Sequence, residues 1–112
     1  MALAIRMRFE PLRSIAYNAI VSGYMGVGTV LVYPASQFFI QNLTNATLMF
    51  SFDGVNNHFP LPAGGFFLSD IGSNQARNLG FFLSAGDRLY VKQSEVPTLG
   101  DVYFTVAYGF EG

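Results

Sequence analysis

The chain of 112 residues carries 6 basic and 7 acidic side chains, which gives a net charge of −1, and it contains no cysteine. This length predicts one domain, the charge balance argues against binding to nucleic-acid phosphates, and the lack of thiols excludes disulfides and thiolate metal sites. Charged residues make up 12% of the chain and hydrophobic residues 51%, whereas about 25% charged residues is usual for a soluble domain. We therefore expect another protein or a membrane to cover part of the apolar surface.

Residues 1–13 differ from the rest, because they hold three of the six cations and end near a proline. Alternation along "LAIRMRF" would place Leu3, Ile5, Met7 and Phe9 on one face of a strand, opposite Ala4, Arg6 and Arg8. This pattern favours an arm that leaves the domain and adds to a neighbouring subunit. The alternative is an edge strand of the protein's own sheet. The predicted interface residues are Leu3, Ile5, Arg6, Met7, Arg8, Phe9 and Arg13.

The stretch from residue 14 to residue 35 is uncharged and long enough to cross a bilayer. Serine, asparagine and glycine interrupt it, however, and its β-branched residues alternate, which is typical of strands rather than of a membrane helix. We expect strands at residues 14–21 and 27–33, the second buried on both faces, and no membrane partner.

The same two-residue period continues along the remainder of the chain. Further strands are expected at residues 37–43, 47–53, 58–61, 65–71, 80–85, 87–93 and 101–110. Clusters of glycine, proline, asparagine and aspartate separate these segments, and no long window shows a helical period. The sequence predicts an all-β protein, a single domain over residues 1–112 that forms an antiparallel β-sandwich or a jelly-roll-like barrel of about eight strands.

The only histidine, His58, lies in an aromatic-rich stretch that also contains Asp53 and Asp70. A metal site needs three or four converging ligands, and a catalytic serine needs a base held by a third group. No second histidine or cysteine is present, and both aspartates lie where turns are expected. We interpret His58 as a turn residue and expect no catalytic residue, no metal and no cofactor.

Phenylalanine occurs in doublets at 38–39, 66–67 and 81–82. Neighbouring residues of a strand point to opposite faces, so each doublet places one ring on each face. The ring on one face of such a strand packs in the core, and the ring on the other face must be covered by a second layer, a loop or a partner protein. With so few charges, the doublets predict at least one large protein interface.

The run "SFDGVNNHFPLPAGGFFLSDIG", followed by "GFFLSAGDRLYVKQ" and "PTLGDVYFTVAYG", resembles small β-rich virion proteins of tailed bacteriophages over roughly residues 43–109. In size and style the chain is most similar to the capsid decoration or cement proteins of short-tailed phages. The resemblance implies a non-enzymatic jelly-roll-like protein on the capsid exterior that clamps neighbouring major capsid subunits. It also implies self-association into a dimer or trimer.

A second function stays open at the level of the sequence. A tail or head-fibre β-sandwich module that binds a host surface glycan, or another virion protein, would show the same composition and the same strand pattern. Electron microscopy of the particle distinguishes the two, since a decoration protein forms a lattice over the capsid and a fibre forms a single appendage.

Overall fold

The structure, a computed structural model, describes residues 5–35, 37–70 and 83–111. In these ranges the chain forms nine strands and one short 3-10 turn, Tyr17–Ala19. The strands are β1 (Ile5–Phe9), β2 (Arg13–Ala16), β3 (Met25–Gly26), β4 (Gln37–Asn42), β5 (Leu48–Ser51), β6 (Phe59–Leu61), β7 (Phe66–Asp70), β8 (Tyr90–Gln93) and β9 (Asp101–Glu111). The predicted all-β class is confirmed, with nine strands where about eight were expected.

The nine strands form two antiparallel sheets, as in a β-sandwich. Sheet A has the order β1-β9-β4-β7, with β2 also paired to β9, and sheet B has the order β3-β8-β5-β6. β1 and β2 lie one after the other along the same edge of β9, β1 opposite residues 107–111 and β2 opposite residues 101–104. The eleven-residue strand β9 is therefore the axis around which sheet A is built.

A single core lies between the sheets. Alternate residues of β4, β5, β8 and β9 enter it and are fully or almost fully buried: Phe38, Ile40, Leu48, Phe50, Val91, Val102, Phe104 and Val106. Six phenylalanine rings contact one another inside this core, with centroids 5.0 to 6.5 Å apart: Phe38, Phe50, Phe52, Phe59, Phe67 and Phe104. The aromatic-rich stretch of the sequence thus contributes mainly to the packing between the sheets.

The predicted two-sided strand at residues 27–33 is wrong. The segment forms a loop in which Val27 and Leu31 are buried while Val30 and Val32 are exposed. The backbone turns at Gly28, whose φ is +69°, a left-handed conformation outside the range of a strand. Only Met25–Gly26, just before this loop, joins sheet B.

The predicted strand at residues 14–21 is correct only in its first part. β2 ends at Ala16, and the chain then enters the 3-10 turn, in which Ile20 donates its N–H to the Tyr17 carbonyl. Of the strand expected at residues 80–85, only residues from Leu83 onward are described, and Leu83 makes an isolated bridge with Ala35. In the described part of the chain no helix has the length and apolar character needed to span a membrane.

Candidate interaction surface

The turn between β5 and β6 is built around the Asp53 carboxylate. Its Oδ1 accepts the N–H groups of Val55 and Asn56, each at 2.8 Å, and the Ser51 hydroxyl, also at 2.8 Å. These hydrogen bonds, those from Val55 and Asn56 first, hold the pKa of Asp53 well below its usual range. The carboxylate therefore stabilises the turn through these hydrogen bonds.

His58 belongs to the same turn. Its Nδ1 accepts the Phe52 N–H at 3.0 Å, and its Nε2 lies 3.7 Å from Asp53 Oδ2. Ser51 is fully buried and donates its hydroxyl to Asp53 instead of to the histidine, so these three residues lack the serine-to-base hydrogen bond of a nucleophilic site. Across the residues that the structure describes, no cluster of histidine and carboxylate side chains could hold a metal ion.

Arg13, a predicted interface residue, is 5% exposed and lies inside the protein. Its Nη2 donates to Glu10 Oε1 at 2.6 Å and to the Val30 carbonyl at 2.8 Å, and its Nε donates to the Thr29 carbonyl at 2.8 Å. Arg13 is therefore not available to an external partner. This role was not predictable from the sequence, because both loop carbonyls come from a segment that has the residue pattern of a strand.

Glu10, the ion-pair partner of Arg13, also binds the loop at residues 28–33. Its carboxylate accepts the N–H groups of Val32 and Tyr33, the latter at 2.9 Å. Burial alone would raise the pKa of Glu10, but the Tyr33 N–H, the Arg13 side chain and the Val32 N–H together lower it below its ordinary value. The Glu10–Arg13 pair thus fastens the loop at residues 28–33 to the bend between β1 and β2.

The other predicted interface residues lie in or before β1. Ile5, Arg6, Met7, Arg8 and Phe9 pair in register with residues 107–111 of β9, so this segment follows the edge-strand alternative instead of leaving the sandwich as an arm. Arg8 and Phe9 are exposed, and Leu3 lies outside the described residues. Phe9, at 62% exposure, is the clearest candidate contact of the set.

On the outer face of sheet A, the Phe39 and Gln41 rows of the described register contain no charged residue, and the Gln37 row contains one, Asp70, at its end on β7. We call this surface the uncharged face and define it by Phe9, Gln37, Phe39, Gln41, Phe66, Leu68, Tyr103, Thr105 and Ala107. Phe66 and Leu68 are exposed by 65% and 62%. The face ends near the register positions of Asp70 and Asp101. An apolar face of this kind, bounded by polar positions, is typical of a protein interface.

A shallow groove crosses the uncharged face. Phe9 on β1 and Leu68 on β7 form its two walls, and the small side chains Thr105 and Ala107 lie on its floor. β9 and β4 thus present small or half-buried residues between two exposed apolar ones.

Two of the predicted phenylalanine doublets place one ring on each face of the sheet, as expected. Phe38 is buried and Phe39 faces outward, where its ring lies 5.6 Å from that of Phe66. Phe67 faces inward and packs on Phe59 at 5.0 Å. The third doublet, at residues 81–82, lies outside the described residues.

Among the residues that the structure describes, none covers the side of the sandwich between β6 and β7. A cleft, here called the ring cleft, lies between these two edge strands and is lined by His58, Phe59, Pro60, Leu61, Phe66 and Phe67. Phe67 stays 39% exposed there although its ring contacts the core. The ring cleft and the uncharged face meet at β7, which therefore borders both apolar surfaces.

The outer face of sheet B differs in charge. Lys92 places its ammonium 4.8 Å from the centre of the Tyr24 ring, and Arg88 places its guanidinium 5.8 Å from that of Tyr90. Sheet B thus carries two cations on its outer face, whereas the Phe39 and Gln41 rows of sheet A contain no charged residue. This asymmetry favours sheet A as the contact surface for an apolar partner.

No family model, no curated protein and no solved structure matches this chain.

Proposed function

We propose that the chain is a non-enzymatic virion structural protein that decorates a bacteriophage capsid and clamps neighbouring major capsid subunits from the outside. The observation that supports it best is the uncharged face, on which Phe9, Phe66 and Leu68 are each more than 60% exposed. Full burial of a large apolar side chain is favourable by roughly 1.5–3 kcal/mol relative to leaving it in water. A partner surface that covers these three side chains would gain part of this free energy.

A clamp works by mass action, because a protein that binds the assembled shell stabilises it against disassembly. Such a protein needs contact surface and a rigid framework, and it needs no chemistry. The buried Glu10–Arg13 pair and the single phenylalanine core supply a framework that holds the uncharged face in one shape. In this proposal the groove between Phe9 and Leu68 receives an apolar side chain of the capsid subunit.

The test measures binding to capsids that were assembled without this protein. Purified wild-type chain should bind them to saturation and raise the temperature at which they release DNA. Phe9→Glu places a charge in the groove wall and should weaken binding by at least tenfold, with an unchanged melting temperature of the isolated chain. Val55→Glu is the matched control, since Val55 is 78% exposed on the turn between β5 and β6. Equal binding by both variants, or no binding by the wild type, would contradict the proposal.

The ring cleft favours one alternative, a tail or head-fibre module that binds a host glycan. Sugars stack on exposed aromatic rings, and the cleft offers Phe66 and Phe67 next to the imidazole of His58. A glycan array distinguishes this function. Saturable binding that is lost in Phe67→Ala and retained in Phe9→Glu would support the fibre module over the capsid clamp.

A further inference from the structure

We propose that β7 pairs with β7 of a second copy of this chain, antiparallel about a two-fold axis at Leu68, and so joins two A sheets into one. The described residues place nothing on the outer edge of β7, which hydrogen-bonds only to β4. This dimer is a property of the isolated chain and does not depend on the function proposed above.

The hydrogen-bond pattern shows which main-chain groups face that edge. Asn42 donates to the Gly65 carbonyl and accepts from the Gly64 N–H, so bonding between β4 and β7 involves Gly65 and every second residue after it. The alternation of an antiparallel ladder then turns the N–H and C=O groups of Phe66 and Leu68 away from β4. These groups are in position to bond with another strand.

The strand also lacks the features that protect an edge. Natural edge strands carry lysine, proline, a bulge or an inward-pointing charge to prevent pairing with a second chain. β7 reads FFLSD, with regular pairing to β4 throughout, and its only charged residue is the last one, Asp70. The neighbouring edge strand β6, in contrast, contains Pro60 in the middle of its three residues. Of these two edges, only that of β7 is suited to pairing.

A second copy of β7 is a suitable occupant because the sequence is compatible with itself in this register. A two-fold axis at Leu68 places Leu68 opposite its own copy, Phe67 opposite Ser69, and Phe66 opposite Asp70, and it allows about six main-chain hydrogen bonds. The two Asp70 residues lie about 14 Å apart along the paired strands, beyond the screening length of about 8 Å at physiological salt. The two β7 strands therefore bring no like charges together.

The available area sets the strength of this dimer. From their exposed fractions, the side chains of Phe66, Phe67 and Leu68 present about 300 Å² of apolar surface in each copy. With the strand backbone and the rim of the ring cleft the total stays below the roughly 1,600 Å² of a standard interface. We therefore expect a reversible dimer with a dissociation constant on the order of 10–100 µM.

The position of Leu68 on the axis provides a specific test. Leu68→Lys and Leu68→Glu each place two like charges about 5 Å apart and should each be monomeric, with the dissociation constant of the dimer raised by at least 30-fold. A mixture of the two variants should restore the dimer, because lysine then faces glutamate. A dimer that uses another surface would not respond to the mixing. Val55→Lys and Val55→Glu are the control pair.

Sedimentation equilibrium from about 1 µM to about 500 µM measures the association, and far-ultraviolet circular dichroism verifies that each variant is folded. Hydrogen exchange at the Phe66 and Leu68 amides should slow as the concentration rises. A wild type that stays monomeric throughout, or Leu68 variants that dimerise alone, would overturn the proposal. So would protection at these amides that is independent of concentration, since a segment of the same chain would then cover the edge.

Discussion

Arg13 Nη2 donates a hydrogen bond of 2.6 Å to Glu10 Oε1, and both side chains are almost inaccessible to water. Each ion is also bonded to the loop at residues 28–33, the guanidinium to two carbonyls and the carboxylate to two N–H groups. Every strong partner of either charge is thus supplied from within the fold. The pair stabilises the native loop only as long as both members are present.

Removal of one member should be strongly destabilising. We expect Glu10→Gln or Arg13→Met to lower the free energy of unfolding by about 3–5 kcal/mol, because the remaining ion stays buried without its counter-charge. Urea denaturation measures this, and the double variant should lose clearly less than the sum of the two. Glu95→Gln, at an exposed carboxylate that accepts the Thr47 N–H, should leave the free energy of unfolding almost unchanged. A loss of similar size in Glu10→Gln would contradict the buried role.

Stability should fall in acid. The pKa of Glu10 is lower in the folded chain than its ordinary value of 4.5, so the unfolded chain takes up protons first as the pH decreases. The stabilisation from this carboxylate is therefore complete above about pH 5 and is lost as the pH falls through 4.5 toward the lower folded value. Asp53, whose pKa is also depressed, adds to the same loss at lower pH.

Thermal unfolding between about pH 2 and pH 7 measures this dependence. In Asp53→Asn the melting temperature should change less with pH at the acidic end of this range, since the amide does not titrate. If the melting temperatures of the wild type and the variant had the same dependence on pH, Asp53 would not contribute to the loss of stability in acid.

Asn42 should contribute more to stability than its neighbour Asn45. The fully buried Asn42 amide donates to the Ala46, Leu61 and Pro62 carbonyls, and its oxygen accepts from Thr44. We expect Asn42→Ala to cost about 2–4 kcal/mol, because several buried groups lose their partner. The Asn45 side chain is exposed, and among the described residues it bonds to Thr98 alone, so Asn45→Ala should cost less than about 1 kcal/mol. If chemical denaturation gave the same loss in the free energy of unfolding for both variants, this prediction would be wrong.

A comparison of two glycines separates backbone strain from side-chain packing. Gly28 and Gly64 have similar left-handed φ values, +69° and +76°. A Cβ at Gly64 meets nothing within 4 Å, whereas one at Gly28 lies 2.7 Å from Arg13 Cγ. Gly64→Ala should therefore cost only the conformational term of about 1–2 kcal/mol, and Gly28→Ala should cost clearly more. Indistinguishable melting temperatures would show that Arg13 gives way to the added methyl group.

Strands with a strict two-residue period were predictable from the sequence. β4 buries alternate residues throughout, and β5 and β9 do so except at Ser51 and Ala107, so the two-residue period of the sequence reflects this burial. The loop at residues 27–33 has an equally apolar sequence but buries Val27 and Leu31, four residues apart. Its backbone bonds go to Glu10 and Arg13 and to the Asp87 and Leu89 carbonyls, and such long-range partners leave no local pattern.

The candidate surface was predictable only in outline. The doublet at residues 38–39 correctly indicated that sheet A would carry aromatic rings outside as well as inside. Residues 1–13 were expected to provide the interface, yet β1 supplies only one wall of the groove, through Phe9, and the other wall comes from Leu68, 59 residues later in the chain. The neutrality of the whole face depends on which strands lie side by side, and one sequence does not specify this order.

The position of β9 has a consequence for synthesis on the ribosome. β1, β2 and β4 all pair with it, so the first and last described strands of sheet A are direct neighbours. A nascent chain must hold β1, β2 and β4 without their shared partner until β9 emerges, and closure of so large a loop makes folding slow. Polypeptides released before β9 has been translated would expose these strand edges, and chaperones and proteases would encounter them as unfolded chains.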